Sequence, residues 1–261
     1  MKTITHFFVA LFTLVSVSAF AQQYYPTEQT VQFDKTNASA WVVNVDNESL
    51  DELKDGWSDY VRQELDVKSK KDGRDALIAK EVTVPRIAEN TGDLRAKFFT
   101  EGDQSKVAVA FTTGYSIALN TKDNPDEAEN LRRLVKNFVK YYKTDKLNEQ
   151  IAQNEKREKD LESSYEKNER EQKQLTKHIG KIEKQMKSDK TDDSKKFELK
   201  NQKIADESRM VALDEIMVNQ KHELVDINKS IQKYRADISH LETLFAEPLA
   251  KKEAHFEEIN K

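Results

Sequence analysis

From Asp126 to Ile179 the chain contains neither glycine nor proline, and beyond residue 145 it has one of each, Gly180 and Pro248. Charge rises over the same region: residues 146 to 261 carry 24 Lys/Arg against 25 Asp/Glu. A backbone without turn formers, and with charges of both signs on nearly every turn, fits long solvated helices rather than a second globular domain.

The apolar residues of this region recur with a heptad period. Leu147, Asn154, Leu161, Asn168, Leu175 and Ile182 form one row, and Ile151, Glu158, Tyr165, Gln172, Ile179 and Met186 form the other. A second heptad run has Met210, Met217, Leu224, Ile231, Ile238 and Phe245 in one row. Leu199, Asp206, Leu213, Gln220, Ile227, Tyr234 and Leu241 make its other row. Two such seams predict two helices packed as a coiled coil. Val211, Val218 and Val225 widen the second stripe, so that helix is expected to touch more than one neighbour.

Between the two runs lies MKSDKTDDSKKFEL, residues 186 to 199. Antiparallel pairing of the seams admits fold-back points at residue 189, between 192 and 193, or at 196. The middle choice falls at Asp192 and Asp193, the most polar point. It sets Leu161 against Leu224, Leu175 against Met210, Ile151 against Tyr234 and Leu147 against Ile238. It also sets Asn154 against Ile231 and Glu158 against Ile227, so the seam is imperfect. The prediction is a helical hairpin with its turn near 188–195, arms about 60 Å long at 1.5 Å per residue, and a C-terminus returning towards the first domain. A calcium loop fits the gap poorly. Asp189, Thr191 and Asp193 alternate, but there is no central glycine and Lys200 stands where the bidentate glutamate belongs. A flexible linker would leave both seams without a partner in the chain.

Residues 22 to 145 hold both tryptophans and five of the six glycines, and read as a small α+β domain. Trp41, Val43 and Val45 share one face of a strand. Ser49 and Glu52 form a capping box, opening a helix with Leu50, Leu53, Trp57, Tyr60, Val61 and Leu65 on one side. A turn at residues 70–75 and a strand at 76–84 follow. Two further strands, 93–101 and 106–115, are joined through Gly102. Asn124-Pro125 starts a second helix, with Leu131, Leu134, Val135, Phe138, Val139 and Tyr142 as its first stripe. About four strands with two helices on one face suggest ferredoxin-like layering. The fold class is thus α+β followed by a long antiparallel helical-hairpin coiled coil.

Residues 1–21 read as a signal peptide. Lys2 supplies the positive start, residues 7–15 are an apolar run, and Ala19 and Ala21 frame the cleavage site. No later segment is apolar enough to span a membrane. The mature chain is expected to be exported, with a Gram-negative periplasm favoured over release outside. Its net charge of −4 becomes −5 when Lys2 is removed, and no basic footprint for nucleic acid is present. With no cysteine in the chain, thiol chemistry and disulfides are excluded.

Catalytic constellations are scarce. The mature chain has His178, His222, His240 and His255, all in the helical half. No phosphate-binding glycine loop, dinucleotide fingerprint, zinc-protease or nucleophile-elbow motif occurs. No cofactor, metal or catalytic residue is assigned. Arg132-Arg133 is read as a solvent face rather than an anion site. Phe98-Phe99 puts one aromatic on each side of a strand. The expectation is a non-catalytic envelope protein, a structural or interaction scaffold working through its coiled-coil arm, with protein partners and homo-oligomerisation as one option. Two alternatives are a holdase and a ligand- or glycan-binding domain on a helical stalk. The holdase layout resembles, by analogy, the Skp-type periplasmic chaperones, which bear hairpin tentacles on a β core. Those chaperones are basic, whereas this chain is acidic.

Overall fold

The computed structural model describes residues 24 to 246, apart from 35, 47, 115, 116 and 190. The expected signal segment with Ala19 and Ala21, and His255, lie outside the described residues. Two compact units divide the chain. One comprises the described parts of residues 24–146 and 239–246, and the other is Leu147–Ile238.

The first unit is built on a seven-stranded sheet: β1 Thr27–Phe33, β2 Thr36–Asp46, β3 Lys70–Lys71, β4 Ala76–Val84, β5 Ala88–Glu101, β6 Gln104–Thr113 and β7 Ile117–Ala118. The order is β1-β2-β6-β5-β4-β3, with β7 on β6, and every pairing is antiparallel. The expectation of about four strands is therefore corrected. A ferredoxin-like strand order is not formed either: β4, β5 and β6 pair consecutively as a meander, whereas split βαβ units insert one strand between two strands joined through a helix. β1 escapes a sequence reading because its burial runs exposed except at Val31 and Phe33, which leaves too little apolar alternation for a strand signal. β4 does end at Val84, but the chain turns through Pro85–Ile87 and pairs back at once, Val84 against Ala88.

Helix α1, Leu50–Leu65, buries Leu53, Trp57, Tyr60 and Val61. Ser49 occupies the cap position without a side-chain cap bond, so the capping box is not closed. Asp66 ends the helix in the left-handed region at φ 53°, its N–H bonded to the Val61 carbonyl. Helix α2 begins at Pro125, and Leu131, Leu134, Val135, Phe138, Val139 and Tyr142 of its first turns are all buried. These residues and those of α1 form one core with Trp41, Val43, Val45, Leu94, Ala96, Phe98, Val107, Val109 and Phe111, which share one face of the sheet. Both helices thus cover the same face. Trp57 meets Phe138 edge-on at 5.1 Å between ring centroids, and Tyr60 Oη donates to the Leu134 carbonyl at 3.3 Å. Burial, seconded by Glu64, pushes the Tyr60 phenol well above its ordinary range. Close approach of α1 to α2 requires Gly56: a Cβ there would sit 2.5 Å from the Tyr142 ring.

The opposite face carries a smaller cluster of Phe33, Ala38, Ala40, Val42, Ala108 and Ala110, with Val31, Phe99 and Ala118 half-buried against it. Lys97 of β5 donates its ammonium to the Gln32 carbonyl of β1 at 2.7 Å, although two strands lie between them in the sheet. From α3, Asp193–Phe245, Phe245 joins the main core of this unit, 6.1 Å from the Tyr24 ring.

Candidate interaction surface

The second unit consists of the later turns of α2, which ends at Met186, and most of α3. Asp192 starts α3 as its cap: its Oδ1 accepts the Lys195 N–H at 2.8 Å, and its carbonyl accepts the Lys196 N–H at 3.0 Å. The carboxylate satisfies donors that the first turn of a helix leaves without partners. The Asp193 side chain is fully exposed. Thr191 Oγ1 donates back to the Gln185 carbonyl at 2.8 Å, tying the connection to the end of α2.

Side-chain bonds between α2 and α3 follow a simple rule. Glu158 with Asn228, Gln172 with Asp214, Thr176 with Met210 and Glu183 with Lys203 each lie symmetrically about Asp193. His178 with Asp206 and Ser164 with Gln220 are symmetric about Asp192. Arg157–Glu223, Arg209–Glu171 and Arg235–Glu155 add ion pairs displaced by only a few residues. Such symmetry describes two helices running side by side in opposite senses. Hydrogen bonding to Arg209 holds Glu171 below the usual carboxylate range, and hydrogen bonding to Lys203 does the same for Glu183. Exposed pairs of this kind fix register more than they stabilise.

The inward rows are partly polar. Ile151, Ile227 and Ile231 are buried together, with Leu161, Tyr234 and Ile238 packed against them. Met217 and Leu213 are buried, while Leu175, Met210 and Leu224 are half-buried. Further towards the turn the seam holds Gln220, only 8% exposed. Its Oε1 accepts from Asn168 Nδ2 at 3.1 Å and its Nε2 donates to Ser164 at 2.9 Å, so this layer is satisfied internally.

The outward side of α3 is where the unit departs from an ordinary solvated surface. Phe197, Ile204, Val211, Val218 and Val225 are 66, 52, 69, 53 and 52% exposed. They recur every seventh residue along one line of the helix. The valines were legible as a widened stripe. Phe197 and Ile204 were not, because a turn-like composition surrounds the first and polar neighbours isolate the second. Solvated rows of a helix are normally charged, so a repeated apolar row marks an interaction surface.

Other features offer less chemistry. His178 Nδ1 lies 2.6 Å from Asp206 Oδ2, and His222 and His240 are exposed. No cluster of three metal-ligating side chains exists among the described residues. Arg132 and Arg133 both bond Glu129 and hold its carboxyl below the usual range, the Arg132 hydrogen bond dominating. A polar cleft of about 790 Å³ between α1 and β3–β4 is lined by Asp51, Lys54, Asp55, Lys71, Arg74 and Asp75, charges of both signs in equal number. Phe98 is core and Phe99 is half-buried on the alanine face. Tyr25 and Ile117 are the exposed large apolar residues of this unit among the described residues. No helix among the described residues is long and apolar enough to cross a membrane. Comparison with known protein families, curated proteins and solved structures finds no match.

Proposed function

We propose that the protein is a non-catalytic interaction protein of the cell envelope, acting as a scaffold through a helical-hairpin coiled-coil arm that turns at Asp192-Asp193. The observation that carries this reading is the exposed apolar row on α3. The two helices already satisfy one seam between themselves, so a second, outward seam on the same helix has another helix as its natural complement. Within the first unit, Glu48 holds the first turns of α2: it accepts from Lys143 Nζ at 2.7 Å and from Tyr142 Oη at 3.0 Å. Export, and a periplasmic location, are inferred from the apolar N-terminal run and the Ala19–Ala21 motif.

A chaperone reading draws on the same exposed row, but a regular heptad selects a helix, whereas a holdase needs an adaptable surface. Site-specific photocrosslinking tests the proposal. A benzophenone side chain at Val211 or Val218 should yield a discrete adduct in the envelope, and one at Ala212 or Asn219 should yield far less. Equal labelling at all four positions would refute a defined interaction face.

A further inference from the structure

The exposed row also says what kind of helix it meets. An α-helix drifts by about 20° per heptad against a strict seven-residue repeat. Five residues at that spacing stay in line only along a left-handed supercoil, and the buried row of Leu199, Leu213 and Ile227 on α3 repeats in the same heptad phase. The outward row is therefore continuous in geometry with the inward seam, and at 1.5 Å per residue it runs for about 42 Å.

The charges beside it are not random. At the flanking positions next to Val218, the turn side carries Asp214 and Glu215 and the other side carries Lys221 and His222. Acid therefore precedes base about Val218, which is the pattern a two-fold axis converts into complementary contacts. We infer that the partner is a second copy of this chain, its α3 antiparallel and the axis passing at Val218. This rests on the interaction reading above and names the occupant of that surface.

In this arrangement Val218 meets the partner's Val218, and Val211 meets the partner's Val225. On one flank of the row Asp214 then faces the partner's Lys221, and on the other flank Glu215 faces the partner's His222. Each contact occurs twice, as a two-fold interface demands. Moving the axis to Val211 would set Glu207 against the partner's Asp214. An in-register parallel pair would stack Asp214 and Glu215 on their own copies. Like charges across a seam disfavour both, which is how flanking charges select register and direction in coiled coils.

The absence of cysteine from the chain makes a direct test available on the full-length mature protein. Sedimentation should show a concentration-dependent dimer, and Val218→Glu should raise its dissociation constant at least tenfold with helicity unchanged. Val218→Cys should oxidise to a covalent dimer. Val211→Cys should do so poorly by itself, yet efficiently when mixed with Val225→Cys. Glu215→Lys should weaken the dimer and Glu215→Lys with His222→Glu should restore it. A monomer at 100-fold the working concentration, or Val211→Cys crosslinking to itself as readily as Val218→Cys, would overturn the inference. If the protein is monomeric yet Val211 and Val218 still photocrosslink to a different envelope protein, the interaction reading survives and only the self-association falls.

Discussion

Leu213 and Val211 are two residues apart on one helix, yet they carry opposite weights in its stability. Leu213 is fully buried and Val211 is 69% exposed. Leu213 lies between Met210, in reach of Thr176, and Asp214, bonded to Gln172, so its side chain sits inside the contact between α2 and α3. Truncating it to alanine removes three carbons' worth of burial and opens a cavity, at about 2–5 kcal/mol. With a urea m-value of about 2 kcal/mol/M, the midpoint of arm unfolding should fall by roughly 1–2.5 M. Val211→Ala removes little burial and replaces a β-branched residue by the best helix former, so its effect should lie within about 0.5 kcal/mol of zero, towards stabilisation. The assay is urea denaturation followed by helix dichroism, at a concentration below that of self-association, with amide exchange localising the loss to α3. Equal effects of the two substitutions would refute the assignment of inward and outward rows.

Gly56→Ala should destabilise the first unit by about 1–3 kcal/mol despite the better helix propensity of alanine, because the new methyl meets the Tyr142 ring; a thermal melt checks it. Glu129 is held below the ordinary carboxylate range by Arg132. Its contribution is therefore fully present above the unfolded carboxylate pKa of about 4.3 and lost as pH falls through the lower folded value. Glu129→Gln should accordingly flatten the acid side of the stability curve and leave its alkaline side unchanged, as read by melts between about pH 6 and 3. Export should produce a mature chain beginning at Gln22; N-terminal sequencing of the envelope form that still begins at Met1 would contradict cleavage after Ala21.

Much of the first unit was legible because its elements obey simple periods. Leu53, Trp57, Tyr60 and Val61 on α1, and Leu131 through Tyr142 on α2, are buried as their 3.6-residue spacing requires. Trp41, Val43 and Val45 face the same core as the period of two demands. Strand pairing was not legible, since order along the chain does not specify which edges meet. β1 is composed mainly of Thr, Gln and Glu around Val31 and Phe33, and it is held partly by contacts a linear reading cannot see. One is the Glu28 carboxylate, which accepts from Ser39 at 2.5 Å and from the Thr121 N–H at 3.3 Å. The candidate surface was visible only as an oddity, three valines where a two-helix seam needs none. Exposure turned that oddity into a row of five, because burial depends on the direction each residue faces and not on its type.

The central claim is that the two long helices fold back on each other at Asp192-Asp193. Glu166 and Asn219 are both exposed, and nitroxide labels on Glu166→Cys and Asn219→Cys would be the sole thiol adducts on a chain without cysteine. A continuous rod would separate these positions by about 80 Å at 1.5 Å per residue. Helices packed side by side, with axes about 10 Å apart, would bring the labels within about 30 Å. Pulsed electron spin resonance on labelled protein diluted into unlabelled protein, so that only distances within one chain are read, should give the short distance. A distribution centred near the long one would contradict the account.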